Sequence, residues 1–164
     1  MKRLGVLCWL ALASSMHAHA SFLVGLSYEH VGSVDSLHTY RIYAEFNNAE
    51  DVLMALYGNE AAPWSLAVDG YLHQGVPGGP LPMLGAEPTD SWFTIGEDGS
   101  NGVPALFQVG MDGAWADFEN GLGFSVASPA GGAVFSLPDS VSSASAGSDG
   151  RVLIAQLTMT GTAE

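Results

Sequence analysis

Glu97, Asp98 and Asn101 belong to the segment Glu97-Asp98-Gly99-Ser100-Asn101-Gly102, which crowds side-chain oxygens into a turn punctuated by glycine. Oxygen ligands of this kind suit a hard cation, so the segment is a candidate Ca²⁺ site. It lacks the EF-hand spacing, and the same composition also makes an ordinary solvated β-turn. Asp112, Asp117 and Glu119 form a second acidic cluster with the same two readings. Trp64, Trp92 and Trp115 offer ring faces on which a neutral sugar could stack, although large aromatics are as readily used to fill a core.

Catalytic signatures are sparse. Beyond the first twenty residues the histidines are His30, His38 and His73, and no G-x-S-x-G, H-E-x-x-H or P-loop pattern accompanies them. His38 falls on the apolar face of a strand and His30 at a strand end, which suits structural roles. Three separated histidines without cysteine offer no zinc spacing. A glycosidase built on two carboxylates is the enzymatic alternative, but any acidic chain supplies many such pairs.

The first twenty residues, MKRLGVLCWLALASSMHAHA, have the three parts of a secretory signal peptide. Lys2 and Arg3 form the positive n-region, residues 4–13 the apolar h-region, and Ala18-His19-Ala20 the small-residue cleavage site. Ten apolar residues make about 15 Å of helix, half of what a bilayer core requires. The expected product is a secreted, extracellular protein (periplasmic in a Gram-negative cell) with no membrane insertion. Cleavage after Ala20 leaves residues 21–164, read as one domain. With Lys2, Arg3 and Cys8 gone, the formal charge moves from −13 to −15, carried by 17 carboxylates against Arg41 and Arg151.

Those absences exclude a good deal. Thiol, disulfide and Schiff-base chemistry have no side chain to run on. So acidic a surface repels nucleic-acid phosphates and anionic lipid, and it suits surroundings rich in salt or Ca²⁺.

The elements that must position these residues are strands, because period-2 alternation dominates the chain. Residues 22–29 and 37–46 alternate clearly, the latter with His38, Tyr40, Ile42, Ala44 and Phe46 on one face. Residues 52–57 are apolar at every position, as in a strand buried on both sides. Weaker strands are expected over 64–73, 90–95, 105–109, 114–118 and 132–137. Residues 151–160 close the series with Leu153, Ala155, Leu157 and Met159 in one row. Gly/Pro-rich 75–82 and Ser-rich 139–150 read as surface loops. The pattern predicts an all-β fold, an antiparallel β-sandwich or jelly roll of roughly nine strands, with its two ends close together.

Three segments, TYRIYAEFNNAEDVLMALYG (39–58), DSWFTIG (90–96) and GRVLIAQLTMTG (150–161), together resemble an uncharacterised module of secreted, often multi-modular proteins of marine microbes. That module has the look of cohesin-like or carbohydrate-module β-sandwiches. The resemblance implies a fold and an exported setting, and it assigns no functional residue.

The expected function is a secreted, acidic, non-catalytic binding or adhesion module for an extracellular glycan or protein, with Ca²⁺ as the possible cofactor. A small polysaccharide hydrolase and a structural matrix or surface protein are the alternatives. Three features discriminate: an exposed coplanar row of Trp/Tyr for glycan binding, a groove holding two carboxylates roughly 5–10 Å apart for hydrolysis, and a long open edge strand with an apolar patch for assembly.

Overall fold

The computed structural model describes residues 23–75, 87–98, 100, 106–137 and 144–160. The leader, the Gly/Pro-rich 76–86 and Asn101 lie outside them. The fold is all-β and antiparallel. Among the described residues nine strands and one α-helix occur in the order β1 (Leu23–Val34), β2 (Leu37–Phe46), β3 (Ala55–Gly58), β4 (Trp64–Leu66), β5 (Trp92–Phe93), β6 (Leu106–Val109), α1 (Asp112–Glu119), β7 (Phe124–Val126), β8 (Gly132–Ser136) and β9 (Arg151–Thr160). They form a four-stranded sheet β1-β2-β9-β5, a three-stranded sheet β3-β8-β6 and the pair β4-β7.

β9 is the spine, because its side chains are useful on both faces. Ala155, Leu157 and Met159 join Tyr40 of β2 in the main core, with Phe93, Met111, Trp115, Phe118, Phe124 and Val134. On the opposite face Gln156 and Thr158 are equally buried, and the polar atoms of these two side chains find partners. The hydroxyls of Thr39 and Thr158 bond at 2.9 Å. Gln156 donates to the carbonyls of Asp90 and Pro88 at 2.9 and 3.1 Å. Ser91 Oγ accepts the Thr158 N–H at 2.9 Å, standing in for a strand residue just before β5 begins.

Several expectations need correction. Residues 114–118 are helical, not extended. Met111, Ala114, Trp115 and Phe118 recur at helical spacing, and burying them on one face is what sets the period. The helix ends in a Schellman motif, with the Gly121 N–H on the Phe118 carbonyl and the Leu122 N–H on that of Asp117. Gly121 holds φ at 76° there. Residues 52–57 are not buried on both sides: Val52 and Tyr57 are exposed, since β3 is an edge strand whose sheet has one uncovered face. Residues 144–150, expected in a loose loop, are docked, with Ala144 and Ala146 buried and their backbones bonded to residues 49–53. The first and last described residues, Leu23 and Thr160, are not close either. β1 and β9 flank β2 and run parallel, so Leu23 pairs at the Phe46 end and Thr160 at the Leu37 end.

Candidate functional site

Among the described residues β1 is an edge strand of twelve residues, bonded to β2 alone. It departs from ordinary edge design in its side chains. Of the thirteen large apolar residues that stand exposed among the described residues, six are in β1: Leu23, Val24, Leu26, Tyr28, Val31 and Val34. Leu26 is 67% exposed and Tyr28 58%. Such a concentration on an otherwise acidic chain exceeds the usual scatter of surface apolar groups.

The register explains the exposure. β1 and β2 meet through a two-residue turn in which Asp35 takes a left-handed φ of 54°, a conformation Asp tolerates. Bulges fall at Leu23/Gly25 and His30/Gly32. Between them Leu26, Tyr28 and His30 pair with Ala44, Ile42 and Tyr40, which point toward the core side. β2 is covered there and β1 is not, so β1 overhangs the core with its apolar face open.

The bulge at His30/Gly32 also builds a cluster. Without it His30 would lie opposite Arg41; the extra residue turns it onto the face of Tyr40 and His38. Ser33 Oγ then sits 3.0 Å from His30 Nε2 and 2.8 Å from His38 Nδ1, so the hydroxyl can donate to one imidazole and accept from the other. The His30 ring lies 5.1 Å from Tyr40, and Tyr40 lies 6.0 Å from Tyr28. A serine nucleophile needs its histidine oriented by a third group. Among the described residues no carboxylate reaches either ring.

The other face of this sheet carries two ion pairs and Glu45. Arg151 of β9 reaches across β2 to Glu29 of β1 at 3.4 Å, with its guanidinium 4.1 Å above the Tyr43 ring. Arg41 pairs with Asp98 at 3.6 Å. Both arginines of residues 21–164 thus serve the β1-β2-β9 sheet.

Asp98 is already engaged: its carboxylate accepts the Ser100 N–H at 3.0 Å and faces Arg41. The Ser100 hydrogen bonds chiefly, with help from the Arg41 charge, hold its carboxyl below the usual range. Glu97 lies beside it, and Asn101 is outside the described residues. Asp112, Asp117 and Glu119 are dispersed by the helix, which sets Asp112 and Asp117 about 140° apart and puts Glu119 about 10 Å from Asp112 along the axis. Among the described residues no three His, Cys, Asp or Glu come together as a metal site.

The tryptophans are inward. Trp92 is 3% exposed, beside Gln156 on the face away from the main core. Trp115, 5% exposed, donates its indole N–H to Gln108 and packs among Phe93, Phe118 and Phe124. Half-buried Trp64 stands edge-on to the same group. None forms a coplanar exposed row. A shallow depression of about 550 Å³ lies beside α1, lined by Gly113, Ala116, Asp117, Ser125 and Ser128 among others, with Asp117 its one carboxylate among the described residues.

Comparison with protein-family models, with curated proteins and with solved structures finds no match for this chain.

Proposed function

We propose that this protein is a secreted, non-catalytic binding module that engages a polypeptide partner by strand addition along β1. The observation that carries the reading is the open twelve-residue edge whose exposed face is apolar through Leu23, Leu26 and Tyr28. An edge strand offers a ladder of unpaired N–H and C=O groups, and natural proteins blunt such edges unless they use them. Here the backbone ladder supplies affinity and the apolar overhang supplies specificity for alternate side chains of the incoming strand. The partner is extended and apolar, since β1 itself carries one carboxylate, Glu29, already paired with Arg151. The resemblance to secreted cohesin-like modules agrees with a binding role. A glycan reading has less support because Trp92 and Trp115 are buried, and a two-carboxylate hydrolase has less because the depression beside α1 holds one.

An NMR titration tests this, with a soluble peptide of alternating Val and Thr flanked by Lys as the strand probe and neutral polysaccharides as the competing one. The peptide is expected to shift residues 23–34, and Leu26→Lys to weaken that response while leaving the fold intact. Shifts elsewhere, or a response to polysaccharide alone, overturn the proposal.

A further inference from the structure

We infer that the strand added to β1 is β1 of a second copy of this chain, in an antiparallel, two-fold symmetric pair; the inference rests on β1 being the binding edge. Charge is the first argument. Two copies of a chain that carries −15 once the leader is removed repel, so they meet most readily where each carries least net charge. β1 comes nearest to that: its single carboxylate, Glu29, is paired with Arg151, and the adjacent strand adds Arg41, itself paired with Asp98, and the one further carboxylate Glu45.

Self-complementarity is the second. β1 is itself an extended, open, apolar strand, which is the partner the edge requires. A two-fold axis at Ser27, within the stretch between the two bulges, sets Leu26 of each copy against Tyr28 of the other on the apolar face. The same register sets Glu29 against Gly25. A slip that centred the axis on Glu29 would oppose two carboxylates, which is disfavoured.

Closure is the third. The far edge of the sheet, β5, is two residues long, so pairing through β1 ends at a dimer rather than a fibre. In this register residues 23–31 of each copy overlap, a contact about 30 Å long and one strand deep that lies at the low end of specific interfaces, which makes the dimer dissociable on dilution.

Sedimentation velocity over roughly 1 µM to 1 mM reads this directly. The mass is expected to rise from monomer to dimer, and added salt to favour the dimer by screening residual repulsion. Leu26→Lys and Tyr28→Lys should each weaken association by roughly tenfold or more, because each breaks two cross-strand pairs. Val109→Lys, on the uncovered face of β3-β8-β6, should not. Because residues 21–164 hold no cysteine, Leu26→Cys and Tyr28→Cys proteins are expected to cross-link when mixed, and neither to do so alone. A monomer at every concentration, a dimer indifferent to Leu26→Lys, or one lost with Val109→Lys overturns the inference. A monomer whose β1 still responds to the Val/Thr peptide overturns self-pairing alone and leaves strand addition standing.

Discussion

Substituting Gly121 by Ala should cost more stability than the same change at Gly147, and the difference can be worked from the structure. Both glycines hold left-handed φ values, 76° and 61°. Each substitution therefore incurs the left-handed penalty of about 1–2 kcal/mol for a residue with a Cβ. At Gly147 nothing lies within 4 Å of the added carbon, and the penalty ends there. At Gly121 the carbon lands on the Tyr71 ring. Tyr71 is half exposed, so its ring can swing out, forfeiting about 1 kcal/mol of half-buried contact. Urea unfolding followed by tryptophan fluorescence should show Gly121→Ala about 1 kcal/mol worse than Gly147→Ala with an unchanged m-value. In a Tyr71→Ala background that excess should vanish. Equal costs at the two positions, or an excess that survives removal of Tyr71, would refute the packing assigned to the end of α1.

Trp115→Ala should lose about 3–5 kcal/mol in the same assay, as expected when a large buried aromatic leaves a cavity, whereas half-buried Trp64→Ala should lose less. Asp98→Asn probes the acid limb. Because hydrogen bonds and Arg41 lower the Asp98 pKa in the folded state, its contribution is fully present above the ordinary carboxylate value of about 3.9 and fades as pH falls through the lower folded value. The stability gap between wild type and Asp98→Asn should thus be largest near neutrality and close under acid, as read by thermal melts across pH. Arg151→Ala removes an exposed ion pair and a cation–π contact, so about 1 kcal/mol should be lost, with faster amide exchange in β1 where Glu29 is released.

Long strands with a clean period were legible to the residue: 37–46 and 151–160 are β2 and β9. Their alternation is strong because one face of each meets the core directly. Where a different constraint governed, periodicity misled. Ala114, Trp115 and Phe118 lie in a short run that can be aligned to period 2 or to 3.6, and only burial against Phe93 and Phe124 selects the helix. Residues 124–126 carry too short an alternation to predict a strand, yet all three pair with 64–66 because Phe124 and Val126 point into the core. Unbroken apolarity at 52–57 implied two buried faces, and the uncovered side of the β3-β8-β6 sheet shows that hydrophobicity alone does not report a covering layer. The site was least visible. His30 and His38 meet through one bulged residue, and a one-residue shift in register is beyond what alternation encodes. The exposed face of β1 had a signal in hindsight, since Leu23, Val24, Leu26, Tyr28 and Val31 are apolar at both parities in a strand with no second partner.

Amide hydrogen exchange at residue resolution, comparing dilute with concentrated protein, tests the open edge most directly. The amides of β1 that do not bond to β2 should exchange quickly when dilute and gain protection on concentration, most strongly over residues 25–30, with the rest of the fold unchanged. Protection of those amides already complete in dilute protein, or protection gained instead on β3-β8-β6, would contradict β1 as the binding edge.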